Sequence, residues 1–215
     1  ASNKPMDDFE GWFNYTDRLK ENWNKVIDDK DYVVIAGDIS WAMNFDELKA
    51  DFDYINQLNG KKIILKGNHD YWWNTMSKMN KFIEENNFNT ISILHNNAFD
   101  FDDFSVCGSR GWFFDSDEEQ NEKVLNREVM RIKASIESAL NCEKIVFLHY
   151  PPVYENQCCE EIVSLLKEKG IKKCYYGHIH GVAAKYAFDD NYDGIDFKLI
   201  SADRLDFMPL LIKKF

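Results

Sequence analysis

Four separate apolar runs in this chain each end in a loop that carries a histidine, an aspartate or an asparagine. The runs cover residues 32–36, 62–65, 144–148 and 173–176, and each has the length and composition of a buried β-strand. Amphipathic helical patterns lie between them, which gives strand-helix-strand units. Because the loops after the strands of an α/β sheet gather at one edge, the pattern predicts an α/β fold with its functional residues at that edge.

The rest of the sequence predicts further helices and strands of ordinary length. Helices are predicted over residues 7–29, 45–58, 77–85, 118–140 and 160–169. Short strands are predicted over residues 90–94, 98–101 and 104–108, and an antiparallel meander over residues 184–215. No linker rich in Gly, Ser or Pro interrupts the chain, so a single domain over residues 1–215 is the simplest interpretation.

The composition limits the kinds of partner that the protein can bind. Apolar residues make up 45% and charged residues 29% of the chain, as in soluble globular proteins. The net charge is −11 and no stripe of Lys and Arg is visible, which argues against long nucleic acids and favours a small phosphorylated substrate. The sequence does not indicate the oligomeric state.

The cysteines and the apolar runs indicate a cytoplasmic protein. The five cysteines are odd in number and include the adjacent pair Cys158 and Cys159, which makes a poor disulfide framework. We therefore expect reduced thiols. No apolar run approaches the roughly 18 residues of a membrane span, and no signal-peptide pattern opens the chain, so we expect no membrane partner.

Histidines are concentrated in the loops that follow the apolar runs. Four of the five histidines of the chain lie there, and His95 alone lies elsewhere. The candidate metal ligands are Asp38, Asn68, His149, His178 and His180. Taken singly, each of the first three has an ordinary explanation as a turn residue, a loop cap or a buried histidine. Together they predict a metal site.

The glycines and the types of ligand narrow the kind of metal site. A glycine stands directly before Asp38, Asn68 and His178, and Gly177 and Gly181 are expected to let His178 and His180 face a metal from one turn. Asp, Asn and three His suit Mn, Fe, Zn, Co or Ni better than Ca. Because there are more than four candidates, we expect two divalent ions, with Mn or Fe preferred.

The ordered motifs GDISWAM, KGNHDYWW, GSRGW, LHYPP and GHIHG, preceded by NKPMD, resemble the calcineurin-like metallophosphoesterases. They are most similar to a branch of small, stand-alone bacterial phosphohydrolases, and the resemblance covers nearly the whole chain. It implies a four-layer α-β-β-α sandwich of two mixed β-sheets flanked by helices. It also implies a phosphoesterase in which a hydroxide that bridges two metals attacks a phosphate mono- or diester.

The resemblance also implies a role for each candidate ligand. Asp38 would bridge the two metals. Asn68, His149 and His178 would complete one metal site, and His180 would bind the other metal together with Asp38.

Three more residues have expected roles in the chemistry. His69 would lie beside the metals as the proton donor to the leaving group or as a stabiliser of transition-state charge, and a purely structural role is the alternative. Asp70 would orient the ring of His69. Arg110 is a candidate substrate-binding residue because its planar guanidinium fits phosphate, although a surface salt bridge would explain it nearly as well.

One family motif has no counterpart in this sequence. The family begins with a strand that ends in Asp-x-His and supplies two metal ligands, and no such motif occurs before Gly37. In the branch that this chain resembles, that strand precedes a segment like residues 3–6, so we expect the sequence to start just past it. The alternative is a chain that lacks the strand and acts as a non-catalytic scaffold or regulatory binding module with an incomplete metal site.

Overall fold

A computed structural model describes residues 6–112 and 122–214 of the protein. The α-helices in these residues are α1 Tyr15–Val26, α2 Phe45–Gln57, α3 Met76–Glu85, α4 Glu122–Ser138 and α5 Glu160–Glu168. The strands are β1 Tyr32–Ile35, β2 Lys61–Ile64, β3 Ile91–Ile93, β4 Phe99–Asp100, β5 Phe104–Ser109, β6 Glu143–Leu148, β7 Val153–Tyr154, β8 Gln157–Cys158, β9 Lys173–Tyr176, β10 Asn191–Tyr192 and β11 Ile195–Leu199. Short 3₁₀ helices cover Met6–Asp8 and Gly181–Tyr186.

The strands form two larger sheets and one small hairpin. The first sheet has the order β1-β2-β3 and is parallel throughout. The second has the order β10-β11-β9-β6-β5-β4, with four parallel strands in the middle and an antiparallel strand at each edge. Strands β7 and β8 pair only with each other among the described strands.

The two sheets pack face to face between helices. Ile63 and Leu65 of the first sheet share a buried cluster with Val106 and Phe147 of the second. Helices α2 and α3 bury their apolar faces on the outer side of the first sheet, and α4 and α5 do so on the second. This confirms the predicted four-layer α-β-β-α sandwich, in which each amphipathic element buries its apolar face against its neighbour.

Helix α2 shows how local sequence fixes an element. Its N-cap Asn44 accepts a hydrogen bond from the Glu47 N–H at 3.0 Å, and the Glu47 carboxylate accepts one from the Met43 N–H at 2.9 Å. Such reciprocal capping stabilises a helix start by about 1 kcal/mol. One apolar face then packs on the first sheet through Leu48 and Phe52, as predicted.

The prediction of one helix over residues 7–29 is wrong at its N-terminal end. Helix α1 starts at Tyr15, after Gly11 and Asn14 with left-handed φ angles of 86° and 50°. The Asp7 side chain accepts a hydrogen bond from the Asn14 N–H at 2.8 Å. The acidic residues that resembled a helix start therefore close a turn before it.

Two other boundaries differ from the predictions. Residues 118–121 of the predicted helix 118–140 lie outside the described residues, and the helix ends at Ser138, with Leu140 85% exposed beyond it. The predicted antiparallel meander over residues 184–215 is wrong except for the β10-β11 hairpin. Strand β11 runs parallel to β9, and its alternate residues Ile195, Phe197 and Leu199 are buried in the second sheet.

Strand β1 lies at an open edge of the first sheet. Among the described residues it pairs with β2 alone. A cleft of about 2090 Å³ lies beside it, lined by apolar residues of both sheets, and reaches Asp38, His149 and His178. None of the helices in the described residues combines the length and the apolar character needed to cross a membrane.

Candidate metal centre

Asp38, His149 and His178 meet at the carboxyl ends of β1, β6 and β9. Their potential ligand atoms all lie within 4.8 Å of one another. The Nε2 atom of His149 is 3.5 Å from Oδ2 of Asp38, and the rings of His149 and His178 are 5.0 Å apart. Residues from positions far apart in the sequence therefore converge at strand ends, as predicted, but these ends belong to both sheets rather than to the edge of one.

Asn68 joins this group through its side-chain oxygen. Its Oδ1 atom lies 2.7 Å from Nε2 of His149 and 3.1 Å from Nδ1 of His178. The other nitrogen of His149, Nδ1, lies 2.8 Å from the Ala36 carbonyl oxygen. A neutral imidazole has one N–H and cannot donate to acceptors on both sides. A cation among Asp38, Asn68 and Nε2 of His149 would satisfy all of these groups.

His149 has the environment of a neutral metal ligand. It is 1% exposed, and burial lowers its pKa, although Asp38 and the Ala36 carbonyl act in the opposite direction. The hydrogen bond from Nδ1 to Ala36 leaves Nε2 directed at Asp38 and Asn68. Ligating histidines characteristically have the second ring nitrogen fixed in this way.

The loops after β1 and β2 approach each other so closely that only glycine fits at two positions. A Cβ atom on Gly37, whose φ is 89°, would lie 2.6 Å from the Gly67 nitrogen. A Cβ atom on Gly67 would lie 2.0 Å from Oδ1 of Asp38. The two glycines therefore permit the contact that brings Asp38 beside Asn68.

The side chain of Asp70 is hydrogen-bonded to the backbone of both of these loops. It is 1% exposed, and its oxygens accept hydrogen bonds from five donors at 2.7 to 3.2 Å. The donors are the backbone N–H groups of Gly67, Asp38, Ile39 and Ser40 and the indole N–H of Trp72. Burial and the charge of Asp38 raise the pKa of Asp70 to about 6, against the lowering effect of the N–H groups of Gly67, Ser40 and Ile39.

The prediction that Asp70 orients the ring of His69 is wrong, because both Asp70 oxygens are engaged by those donors. The ring nitrogen Nδ1 of His69 lies 2.9 Å from the Tyr71 hydroxyl instead. The ring stacks on Trp41 with centroids 4.7 Å apart. His69 thus stands at the cleft beside Asp38, whose Oδ1 accepts its backbone N–H at 2.9 Å.

His180 lies apart from the buried group. Its Nδ1 atom is 3.0 Å from Oδ1 of Asp203, and its ring packs on Trp12 with centroids 5.5 Å apart. The other Asp203 oxygen accepts the Gly181 N–H at 2.7 Å. Although burial acts to raise the pKa of Asp203, the hydrogen bonds from His180 and Gly181 lower it overall.

The turn after β9 differs from its predicted form. His178 itself has a left-handed φ of 70°, whereas Gly177 stands where a Cβ atom would come within 3.2 Å of the Ala36 carbonyl oxygen, a tight contact. His178 joins the buried group and His180 turns to Asp203, so the shared direction expected of the two rings is not seen. Asp203 was missed by sequence reasoning, although it follows the apolar run of β11 and the strand-end rule would have found it.

Arg110 lies close to the centre and contacts one predicted ligand, His149, through its backbone. Its side chain is 16% exposed and lies 3.9 Å from Glu128, so it is not a surface salt bridge. The guanidinium carbon is 5.7 Å from the centroid of the Tyr150 ring, which packs against His178 at 4.6 Å. The backbone carbonyl of Arg110 accepts the N–H groups of His149 and Tyr150, which anchors the loop after β6.

Comparisons with known proteins agree with this architecture. One solved crystal structure aligns over 88% of this chain and 86% of its own, with a TM-score of 0.56 and 14% identity, which supports the fold. The crystal structure of the protein TT1561 of Thermus thermophilus aligns over 82% of this chain and 79% of its own, with a TM-score of 0.49 and 13% identity.

Sequence matches are shorter than the structural ones. The uncharacterized protein MJ1445 of Methanocaldococcus jannaschii is 38% identical over 52 residues, which is 24% of this chain and 28% of that protein. The match therefore spans little more than a quarter of the relative's length. In contrast, the sequence model of the calcineurin-like phosphoesterase family matches residues 6–182. With that match covering most of its length, the chain belongs to the calcineurin-like phosphoesterase family.

Proposed function

We propose that the protein is a metal-dependent phosphoesterase that hydrolyses a phosphate mono- or diester at a centre of two divalent ions. The observation that carries this proposal is the convergence of Asp38, His149 and His178 within 4.8 Å, with the Asn68 oxygen facing both rings. Membership of the calcineurin-like phosphoesterase family supports it.

The residues present fit one ion directly and part of a second site. Asp38, Asn68, His149 and His178 would hold the first ion. His180 would bind the second together with Asp38, because its contact with Asp203 through Nδ1 leaves Nε2 as the ligand atom. Mn or Fe are the expected ions, with Zn, Co or Ni as alternatives. When bound, the ions would supply Lewis acidity and lower the pKa of a water molecule.

His69 is the proposed proton donor to the departing alcohol. The Tyr71 hydroxyl at its Nδ1 atom and the stacked Trp41 ring hold the imidazole in one orientation. If the hydroxyl donates to Nδ1, the proton of the neutral ring lies on Nε2, the nitrogen left to face a substrate. The role of general acid requires a proton at that atom.

The substrate is proposed to be a small phosphorylated molecule rather than a long nucleic acid. The net charge of −11 opposes binding of a long polyanion, and attraction of an anion then depends on local cations. We place the protein in the cytoplasm, because all five cysteines are free thiols.

A second candidate function is a scaffold or regulatory binding module with a single ion. It is favoured by one observation: the metal-binding group found among the described residues holds three members, and His180 contacts Asp203 instead. The open edge of β1 favours the phosphoesterase instead. A parallel strand added at that edge would end beside Asp38 and could supply further metal ligands. Bound metal distinguishes the candidates, since the phosphoesterase requires two ions per chain.

The test is to measure metal content and hydrolysis on the same preparation. The purified protein is loaded with Mn, its metal is counted by mass spectrometry, and 4-nitrophenyl phosphate and bis(4-nitrophenyl) phosphate are assayed. We expect hydrolysis of at least one ester and its loss in Asp38→Asn. The matched control is Asp53→Asn, at an exposed position of α2. Full activity in Asp38→Asn, or one ion with no hydrolysis, would exclude the phosphoesterase.

A further inference from the structure

Three cationic side chains gather beside the metal centre, and among them only Arg110 has an expected role, in substrate binding. Lys66 follows β2, Arg110 follows β5, and Arg131 lies on α4. Arg110 and Arg131 flank Glu128, a carboxylate of α4 whose side chain is 1% exposed, and the charge of Lys66 acts on all three. The whole chain has a net charge of −11, so this local concentration of positive charge is opposite in sign to the charge of the protein.

Glu128 holds the two arginines in place. Arg131 donates to Oε1 of Glu128, and the Arg110 guanidinium lies 3.9 Å from the same atom. The Ser109 hydroxyl donates to Oε2 at 3.0 Å. The buried carboxylate is therefore satisfied from both sides and fixes two guanidinium groups next to each other.

Lys66 has no comparable partner. It is partly buried, and across residues 6–112 and 122–214 its ammonium group makes no hydrogen bond or ion pair. Its charged neighbours are Arg110, Arg131, Glu128 and Asp70. A partly buried ammonium group without a partner is unfavourable, and a bound anion would offset that cost.

The cationic group adjoins the metal centre on two sides. Lys66 stands two residues before Asn68 in the same loop. The Arg110 guanidinium carbon lies 5.7 Å from the centroid of the Tyr150 ring, and that centroid lies 4.6 Å from the centroid of the His178 ring. A molecule with one group at the metals would therefore bring a neighbouring group close to these cations.

We propose that Lys66, Arg110 and Arg131 form a second anion subsite, which binds a second phosphate group of the substrate while the reacting phosphate lies at the metals. The substrate class is then a small phosphate ester that carries another phosphate. Arginine forks suit phosphate oxygens in a bidentate geometry, and lysine adds a point charge. The assignment of two phosphates to one substrate rests on the proposed function.

The competing arrangement is that these cations contact the reacting phosphate itself. The two arrangements differ in what the loss of Lys66 does to ligands with one and with two anionic groups. Suitable probes are propylphosphonate and propane-1,3-bisphosphonate, because the proposed reaction does not cleave their C–P bonds. Binding to the Mn-loaded protein is measured by titration calorimetry, which requires no turnover.

Lys66→Met is the informative variant, since it removes a charge without leaving any described partner unsatisfied. We expect the wild-type protein to bind the bisphosphonate more tightly than propylphosphonate, and Lys66→Met to weaken bisphosphonate binding by about tenfold with little effect on propylphosphonate. Lys78→Met, at an exposed position of α3, is the matched control and should behave like wild type. Thermal unfolding of each variant checks that the fold is kept.

Each outcome decides the assignment. Equal weakening of both probes by Lys66→Met would place the cations on the reacting phosphate and overturn the second subsite. A wild-type protein with no preference for the bisphosphonate would overturn it as well. If the expected preference is seen but no ester is hydrolysed, the proposed function fails while the anion subsite stands. If esters are hydrolysed without a Lys66-dependent preference, only the subsite fails.

Discussion

The two parts of the candidate metal centre are held in very different ways. The loops over residues 37–40 and 67–70, here called the Asp70 loop pair, are fastened by a buried carboxylate that accepts five hydrogen bonds. The turn over residues 177–181, here called the His180 turn, is fastened by Asp203 through two. The His149 side chain facing the loop pair is 1% exposed, and that of His180 is 39% exposed. Of the two ion sites that we propose, the first would therefore be preformed, whereas the second would need further ligands besides His180.

The largest expected effect is the difference in metal binding and activity between variants of His149 and of His180. His149→Ala should remove the first ion and lower kcat/KM by about 1000-fold, because it deletes a buried ligand. His180→Ala should leave the first ion bound and cause a smaller loss. Metal counting and steady-state kinetics on both variants provide the measurement. Equal loss of metal in the two variants would contradict the idea that His149 and His180 belong to different ion sites.

The next effect concerns stability. Asp70→Asn should lower the free energy of unfolding by roughly 3 kcal/mol, because an amide cannot accept from all five donors. Asp203→Asn should cost only about 1 kcal/mol, since it touches two donors at a more exposed site. Urea unfolding of the metal-free proteins, followed by circular dichroism, measures both values. Similar costs at the two positions would contradict the ranking.

A third effect tests the carboxylate behind His180. Asp203→Asn should weaken the second metal site by about tenfold, because ligating histidines depend on the acceptor at their other ring nitrogen. The first site should keep its affinity. Competition between the protein and a chelator for Mn resolves the two affinities. An unchanged second affinity would show that His180 acts without help from Asp203.

The smallest effect lies at His69. Tyr71→Phe removes the hydroxyl at Nδ1 and should lower kcat by about threefold with KM unchanged, as expected for a single lost hydrogen bond. Tyr186→Phe, at an exposed position, serves as the matched control. A pH–rate profile of both variants shows whether the loss follows the protonation of His69. A change in KM alone would instead assign Tyr71 to substrate binding.

Sequence reasoning succeeds where the signal is local. Short apolar runs bounded by glycines predict β1, β2, β6 and β9, and their loops predict that Asp38 and His149 meet. These inferences need only the periodicity of a strand and the polarity of a parallel sheet.

The details that the sequence does not predict depend on contacts between distant segments. The role of Asp70 is hidden because four of its five partners are backbone N–H groups, which every residue but proline has. The gathering of Arg110 and Arg131 around Glu128 depends on how α4 packs on the second sheet. The start of α1 was misplaced because an aspartate can cap a turn as readily as a helix.

The backbone at Asp38 and His178 has a consequence for engineering. Both residues adopt left-handed φ angles, 54° and 70°, which cost a residue with a side chain about 1 kcal/mol relative to glycine. A screen that rewards heat resistance alone would therefore favour glycine at these positions and discard two metal-facing side chains. Mutant libraries designed to raise thermal stability should therefore keep both residues unchanged and introduce stabilising substitutions at other positions.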